Sequence, residues 1–124
     1  MIYGIGVDIA AVSRFEKWVK NPEMISRFFN PKECNNASSI QKSCEHYAAR
    51  FAAKEAFSKA LGTGILGFDL KDVYIQNNQD GKPYLVIENK ALDLLKNRCG
   101  NVQVHVSLTH EKETACAFVI IEQI

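Results

Sequence analysis

Hydrophobic and polar positions alternate with a period of two in residues 2–9, IYGIGVDI, which predicts a β-strand at the start of the chain. One face of this strand carries large apolar side chains, and the other carries Gly4, Gly6 and Asp8. Glycine within a strand often marks the close approach of a ligand or of another backbone, so we expect a close neighbour at this face. Taken alone, Asp8 also fits a strand-end residue bonded to a nearby backbone amide.

Four further strands follow later in the chain. Residues 73–76 and 84–88 flank the turn at 78–81, and the Asp-Gly pair in that turn is a strong hairpin signal. Residues 102–109 alternate between apolar and polar positions. Residues 114–121 are apolar on both faces, which indicates a central strand.

The longest helix is predicted around Tyr47 to Gly64, YAARFAAKEAFSKALGTG, with its start near residues 40–45. Its apolar stripe also contains Glu55 and Lys59, one turn apart, on the face that we expect to be buried. An ordinary ion pair along the helix explains this pair. On the helix alone this explanation is preferred, because such pairs are common; a metal-binding carboxylate beside a phosphate-binding cation gains weight only if the chain supplies a second carboxylate and further anion-binding groups.

Shorter helices are predicted over residues 14–20, 23–29 and 90–99, and the polar residues 31–41 are predicted as a loop or a short turn of helix. Ser13 has capping-box spacing with the glutamate three residues later.

Basic residues alternate with aromatics in the first two of these helices, which fits either a docking surface for an acidic partner or a solvated amphipathic face. The candidates for docking are Arg14, Lys17, Trp18 and Arg27.

The element order is β-α-α-α-β-β-α-β-β, which predicts an α+β fold with an antiparallel sheet packed on the long helix. The length of 124 residues fits one domain over residues 1–124. A net charge of +1 gives no global field for nucleic acid, and no apolar run is long enough for a membrane span. The four cysteines have no metal-ligand spacing and follow no signal peptide, so we expect reduced thiols in a cytoplasmic protein.

A binding site is predicted if Asp8 and Glu55 converge. Two carboxylates, together with substrate phosphate oxygens and water, satisfy Mg²⁺, which takes few protein ligands. Lys59 would then lie against the same phosphates, and Arg50 could reach a more distant one.

Four motifs make the sequence resemble the small bacterial type of 4′-phosphopantetheinyl transferase, the holo-[acyl-carrier-protein] synthases. These are GIGVDI at 4–9, RFAAKEAFSKALGTG at 50–64, GKP at 81–83 and HVSLTH at 105–110. They occur in the order of the family, and the 50–64 block is highly specific.

The resemblance implies transfer of the phosphopantetheine arm of coenzyme A to a serine of an acyl carrier protein, with adenosine 3′,5′-bisphosphate released, in support of fatty acid biosynthesis. It implies Asp8 and Glu55 as Mg²⁺ ligands, Lys59 as the pyrophosphate contact, and these three as the catalytic residues. It also implies a homotrimer with coenzyme A between neighbouring subunits, and Arg14 as the best single candidate for carrier-protein docking. The residues implied to bind coenzyme A are Arg50, Lys59, Gly62, Gly81, Lys82, Pro83, His105, Ser107 and Thr109.

In the expected mechanism a base removes the serine proton, and the base is either Glu55 or a water at the metal site. Two other classes of protein remain open on the residues alone. A metal-dependent phosphohydrolase could use the same carboxylates, and a coenzyme A-binding module would bind the ligand without catalysis.

Overall fold

A three-stranded antiparallel sheet forms the base of the molecule. The computed structural model describes residues 1–34 and 37–124, so Asn35 and Asn36 of the predicted loop lie outside the described residues. The strands are β1 (Ile2–Ala11), β4 (Val102–His110) and β5 (Thr114–Gln123), in the order β1-β5-β4. The prediction that the last strand is central is therefore confirmed, and so is the α+β class.

The long helix α3 (Ile40–Leu61) lies across the inner face of this sheet. The Ser39 side chain accepts a hydrogen bond from the Lys42 amide at its start. Gly62 ends the helix with φ of 89°, a left-handed conformation that glycine adopts without a Cβ penalty.

Two glycines of β1 bring the strand and α3 into backbone contact. A Cβ at Gly6 would lie 2.8 Å from Ala60 N and 2.9 Å from the Ala56 carbonyl carbon, with the Ala56 oxygen closer still. A Cβ at Gly4 would meet the Ala60 carbonyl in the same way. The neighbour predicted from these glycines is therefore another backbone, and it fixes the height of α3 above the strand.

The opposite face of the sheet, called here the outer face, is exposed. On β1 it carries Ile5, Val7 and Ile9, which are 61%, 53% and 68% exposed. Phe118 of β5 lies opposite Val7 and is 39% exposed. His105, Ser107 and Thr109 of β4 complete the outer face.

The predicted hairpin forms a separate two-stranded sheet of β2 (Val73–Asn77) and β3 (Pro83–Ile87). In its turn, the Asn78 side-chain oxygen accepts hydrogen bonds from the amides of Asp80 and Lys82, both at 2.9 Å. The helix α4 (Asn89–Cys99) follows and ends at Gly100. Among the described residues, no helix combines the length and apolar character needed to cross a bilayer.

Two short helices, α1 (Glu16–Val19) and α2 (Pro22–Phe28), contact each other, and α1 packs on α3 through Trp18 and Phe51. The predicted capping box at Ser13 is wrong, because Ser13 lies inside a 3₁₀ helix, Val12–Phe15, that precedes α1. A capping box occurs instead in the 3₁₀ helix Pro31–Glu33, within the predicted loop, where Asn30 caps the turn.

The expectation that Glu55 and Lys59 lie on the buried face of α3 is also wrong. Glu55 is half-buried and Lys59 is exposed, whereas Lys54 is fully buried. Most of the circumference of α3 is covered by the sheet, α1 and β2, so the strip with Glu55 and Lys59 is one of the few left open to solvent. Charges are placed there because burial without a partner is costly.

Candidate active site

Asp8 and Lys59 meet at the edge where α3 crosses β1. The Lys59 Nζ donates a hydrogen bond to Asp8 Oδ1 at 3.1 Å and another to the Val7 carbonyl oxygen at 3.0 Å. These residues are 51 positions apart in the sequence, and the glycine contacts described above bring them together. Asp8 itself is on the inner face of β1, directed toward the helix.

Glu55 lies one turn before Lys59 and shares this site with Asp8. Partial burial raises the pKa of the Glu55 carboxyl, and the negative charge of Asp8 raises it further. Lys59 and Arg14 oppose that rise in pKa, because positive charges favour the ionised carboxylate. Both carboxylates of the sequence hypothesis therefore lie beside Lys59, Asp8 through its 3.1 Å ion pair and Glu55 one helical turn away.

The donor set fits a magnesium ion that is shared with a substrate. The described residues contain no cluster of three or more histidine, cysteine or acidic side chains able to enclose a metal by themselves. Mg²⁺ does not need such a cluster, since it retains water and is commonly held by one or two carboxylates and by substrate phosphates. Asp8 and Glu55 supply two carboxylates, and Lys59 supplies a cation beside them.

The buried charge of α3 belongs to Lys54, which faces away from this site. Its Nζ donates to Glu33 Oε1 at 2.5 Å and to the carbonyl oxygens of Val73 and Leu70 at 2.6 and 2.9 Å. Burial raises the pKa of Glu33 and lowers the pKa of Lys54, while each charge stabilises the other. This pair ties the 3₁₀ helix Pro31–Glu33 and the start of β2 to α3.

A cleft of about 560 Å³ lies beside the first half of α3. Arg50, Gly81 and Pro83, three of the predicted coenzyme A-binding residues, line this cleft together. The sequence prediction missed His110, which lies in the same cleft with its Nε2 3.2 Å from Glu45 Oε1. Continuing the alternation of residues 102–109 by one position would have placed His110 on the inner face.

Arg50 is half-buried at the wall of the cleft. One of its terminal nitrogens, Nη1, donates to the His46 carbonyl oxygen at 3.3 Å, and its buried Nε finds no hydrogen-bond acceptor within residues 1–34 and 37–124. Burial lowers the pKa of Arg50, and the nearby Glu33 charge counteracts this. Burial also lowers the pKa of His46 to about 4, so His46 is neutral beside this cation.

The other predicted coenzyme A-binding residues do not line this cleft within one chain. His105 is on the outer face, with Nε2 2.9 Å from Glu122 Oε1, and Ser107 and Thr109 are on the same face. Lys82 lies beside His105 in a smaller pocket at the tip of the hairpin. Gly62 is at the end of α3.

The predicted docking residues lie on α1, α2 and the preceding 3₁₀ helix. The Arg14 guanidinium lies 5.0 Å from the Phe51 ring centroid and 5.5 Å from that of Trp18. Trp18 is half-buried and serves as a platform for Arg14, while Lys17 and Arg27 are exposed.

Together these features place two carboxylates beside a lysine, and a cleft lined by an arginine, on a small α+β fold. The family model of the 4′-phosphopantetheinyl transferase superfamily matches residues 4–119. The chain is 49% identical over 123 residues to a holo-[acyl-carrier-protein] synthase of Treponema denticola, covering 98% of this chain and 99% of the relative.

Solved structures agree with this match. The holo-[acyl-carrier-protein] synthase of Neisseria meningitidis aligns with a TM-score of 0.88 at 34% identity, over 99% of this chain and 100% of that one. The Bacillus anthracis synthase, solved in complex with CoA (3′,5′-ADP), aligns with a TM-score of 0.79 at 34% identity, over 100% and 99%. The chain therefore belongs to the 4′-phosphopantetheinyl transferase superfamily, among its holo-[acyl-carrier-protein] synthases.

Proposed function

We propose that this chain transfers the 4′-phosphopantetheine group of coenzyme A to a serine of an apo acyl carrier protein in a Mg²⁺-dependent reaction. The observation that carries the proposal is the convergence of Asp8, Glu55 and Lys59 at one edge of α3. Support also comes from the relatives, which are named for this activity, one of them solved with coenzyme A.

The serine oxygen forms a bond to the β-phosphorus of coenzyme A, and the bond from that phosphorus to the bridging oxygen breaks. Adenosine 3′,5′-bisphosphate leaves with that oxygen, and a base takes the serine proton. Asp8 and Glu55 would hold Mg²⁺, which neutralises charge on the pyrophosphate when bound. Lys59 adds a positive charge to the same phosphates.

Two groups can accept the serine proton: Glu55 and a water held at the same site. Arg50 and His110 line a cleft that suits the adenosine and 3′-phosphate end, since Arg50 places a cation at its wall.

The test is the intact mass of an apo carrier protein after incubation with coenzyme A and Mg²⁺. Wild-type protein is expected to add one phosphopantetheine, and Glu55→Gln is expected to lose most of the rate while keeping its circular dichroism spectrum. Asp93→Asn, an exposed acid on α4, is the matched control and keeps the wild-type rate. Near wild-type modification by Glu55→Gln would show that the metal assignment is wrong, and release of free phosphopantetheine without a carrier would indicate a phosphohydrolase.

The proposal includes assembly into a homotrimer with coenzyme A between subunits. The outer face supports this, because its exposed Ile5, Val7, Ile9 and Phe118 form an apolar patch that a second copy could cover. Neither Asp8 nor Glu55 lines the Arg50 cleft, so a neighbouring subunit could supply residues that join the two parts of the site. Native mass spectrometry measures the subunit number.

We further propose that the surface with Arg14, Lys17, Trp18 and Arg27 docks the acidic carrier protein. Opposite charges speed such encounters, and salt screens them, so modification is expected to slow as ionic strength rises. A role in fatty acid biosynthesis follows from this acceptor. A cytoplasmic location suits the free thiols of Cys34, Cys44, Cys99 and Cys116.

A further inference from the structure

Lys59 has two partners that belong to β1 rather than to its own helix. Its Nζ lies 3.1 Å from Asp8 Oδ1 and 3.0 Å from the Val7 carbonyl oxygen. The Lys59 side chain is 54% exposed, whereas that of Asp8 is 20% exposed. The carboxylate is therefore held in the structure, and the ammonium is the partner with freedom to leave.

A divalent cation that binds Asp8 must share this carboxylate with the ammonium or displace it. Two carboxylates and one ammonium give the site a formal charge of −1, so a divalent cation arriving alone makes the site positive. A diphosphate that arrives with the cation makes the site negative again, and its two negative charges attract both the cation and Lys59. If Lys59 were neutral, the cation alone would bring the site to zero charge.

We propose that Lys59 couples the binding of the divalent cation to the binding of coenzyme A, opposing the cation alone and favouring it when the pyrophosphate is present. This inference rests on the proposed function. It gives Lys59 a second role besides contact with phosphate, since it disfavours a metal-loaded site that has no substrate.

The test measures Mn²⁺ affinity by electron paramagnetic resonance, with and without coenzyme A and with no carrier protein, so that no turnover occurs. Lys59→Met retains the length of the side chain and removes its charge. This variant is expected to bind Mn²⁺ alone about two- to fivefold more tightly, the range of an exposed ion pair. The factor by which coenzyme A raises Mn²⁺ affinity is expected to fall by about fivefold or more.

Arg14→Gln is the matched control. Arg14 is a cation that stacks on the rings of Trp18 and Phe51, whereas the ion pair of Asp8 is with Lys59. Loss of Arg14 is expected to change Mn²⁺ affinity by the same factor with and without coenzyme A. The control therefore distinguishes the effect of removing any nearby positive charge from the specific effect of Lys59 on the coupling.

The coupling factor decides the outcome. A lower factor in Lys59→Met than in wild type supports the proposal, and an equal or higher factor overturns it, as does a wild-type protein whose Mn²⁺ affinity is unaffected by coenzyme A. Mn²⁺ alone could bind too weakly for its affinity to be measured. In that case the ratio of the coenzyme A affinities at saturating and at zero Mn²⁺ gives the same coupling factor, because linkage is reciprocal. Failure of the proposed function would appear separately, as an unmodified carrier protein in the mass assay.

Discussion

Gly6→Ala tests whether the contact between β1 and α3 determines both the stability of the fold and the geometry of the active site. The added Cβ would lie 2.8 Å from Ala60 N and 2.9 Å from the Ala56 carbonyl carbon. Both atoms belong to the helix backbone and cannot rotate away as a side chain could. The Ala56 carbonyl oxygen would be closer still, so the helix would have to retreat by about 1.5 Å before all three contacts reach ordinary van der Waals separation.

The energetic cost of that retreat can be worked from its components. Overpacking a well-packed interior typically costs about 1–3 kcal/mol, and a rigid obstacle places this site at the upper end. Alanine also restricts the unfolded chain, which offsets about 0.4–1 kcal/mol. We therefore expect Gly6→Ala to lower the free energy of unfolding by about 2 kcal/mol.

Activity should fall as well, because the bonds from Lys59 to Asp8 and Val7 cross the same contact. Urea unfolding followed by circular dichroism measures the stability, and the intact mass of the carrier protein measures the rate. Gly64→Ala is the matched control: its Cβ would meet no atom within 4 Å, but its φ is +64°. That control isolates the cost of a left-handed alanine, about 1–2 kcal/mol.

A second variant tests whether the atoms that the added Cβ meets belong to the backbone of α3. Ala56→Gly in the Gly6→Ala background should not restore stability, because the blocking atoms are in the helix backbone and not in the Ala56 methyl group. A Gly6→Ala protein with wild-type unfolding midpoint and wild-type rate would refute the reasoning.

Two further predictions concern the buried ionic groups. Lys54→Met leaves the Glu33 carboxylate buried without its partner, so the free energy of unfolding in urea should fall by about 3–5 kcal/mol. A stability within about 1 kcal/mol of wild type would contradict this prediction. Adding Glu33→Leu to the Lys54→Met protein should recover part of the lost stability. Burial lowers the pKa of His46 from its ordinary value of 6.5 to about 4 in the folded protein, so the unfolded chain binds the proton first and stability falls as pH drops from 6.5 to 4. His46→Gln should flatten the curve of unfolding free energy against pH in that window by up to about 1.4 kcal/mol per pH unit, and an unchanged slope would exclude His46 as its source.

The secondary structure was largely predictable from the sequence because its signals are local. The turn at 78–81 and the doubly apolar strand at 114–121 can be identified from neighbouring residues alone, and both predictions are confirmed. The prediction of a capping box at Ser13 is wrong because of the local backbone conformation. Its spacing was correct, but the chain forms a 3₁₀ helix there, and Asn30 with Glu33 makes the box that Ser13 does not.

The sequence prediction assigned the buried charge of α3 to the wrong residues because it assumed that only one face of the helix is buried. The helix is covered on most sides, so its periodicity does not reveal which polar position lies inside. Lys54 can be buried because Glu33 and the Leu70 and Val73 carbonyls accept its three hydrogen bonds. None of these partners is near Lys54 in the sequence.

By itself the sequence determined the order of the helices and strands, the close contact at Gly4 and Gly6, and the acids and lysine proposed for catalysis. Periodicity, turn residues and the family motifs act over a few neighbouring positions, so they can be recognised in one chain. Only the tertiary structure decided that Lys59 bonds to Asp8, that Glu33 neutralises Lys54, and that His110 shares a cleft with Arg50. Each of these contacts joins residues that are distant in the sequence, and their meeting depends on the height and angle at which α3 packs on the sheet.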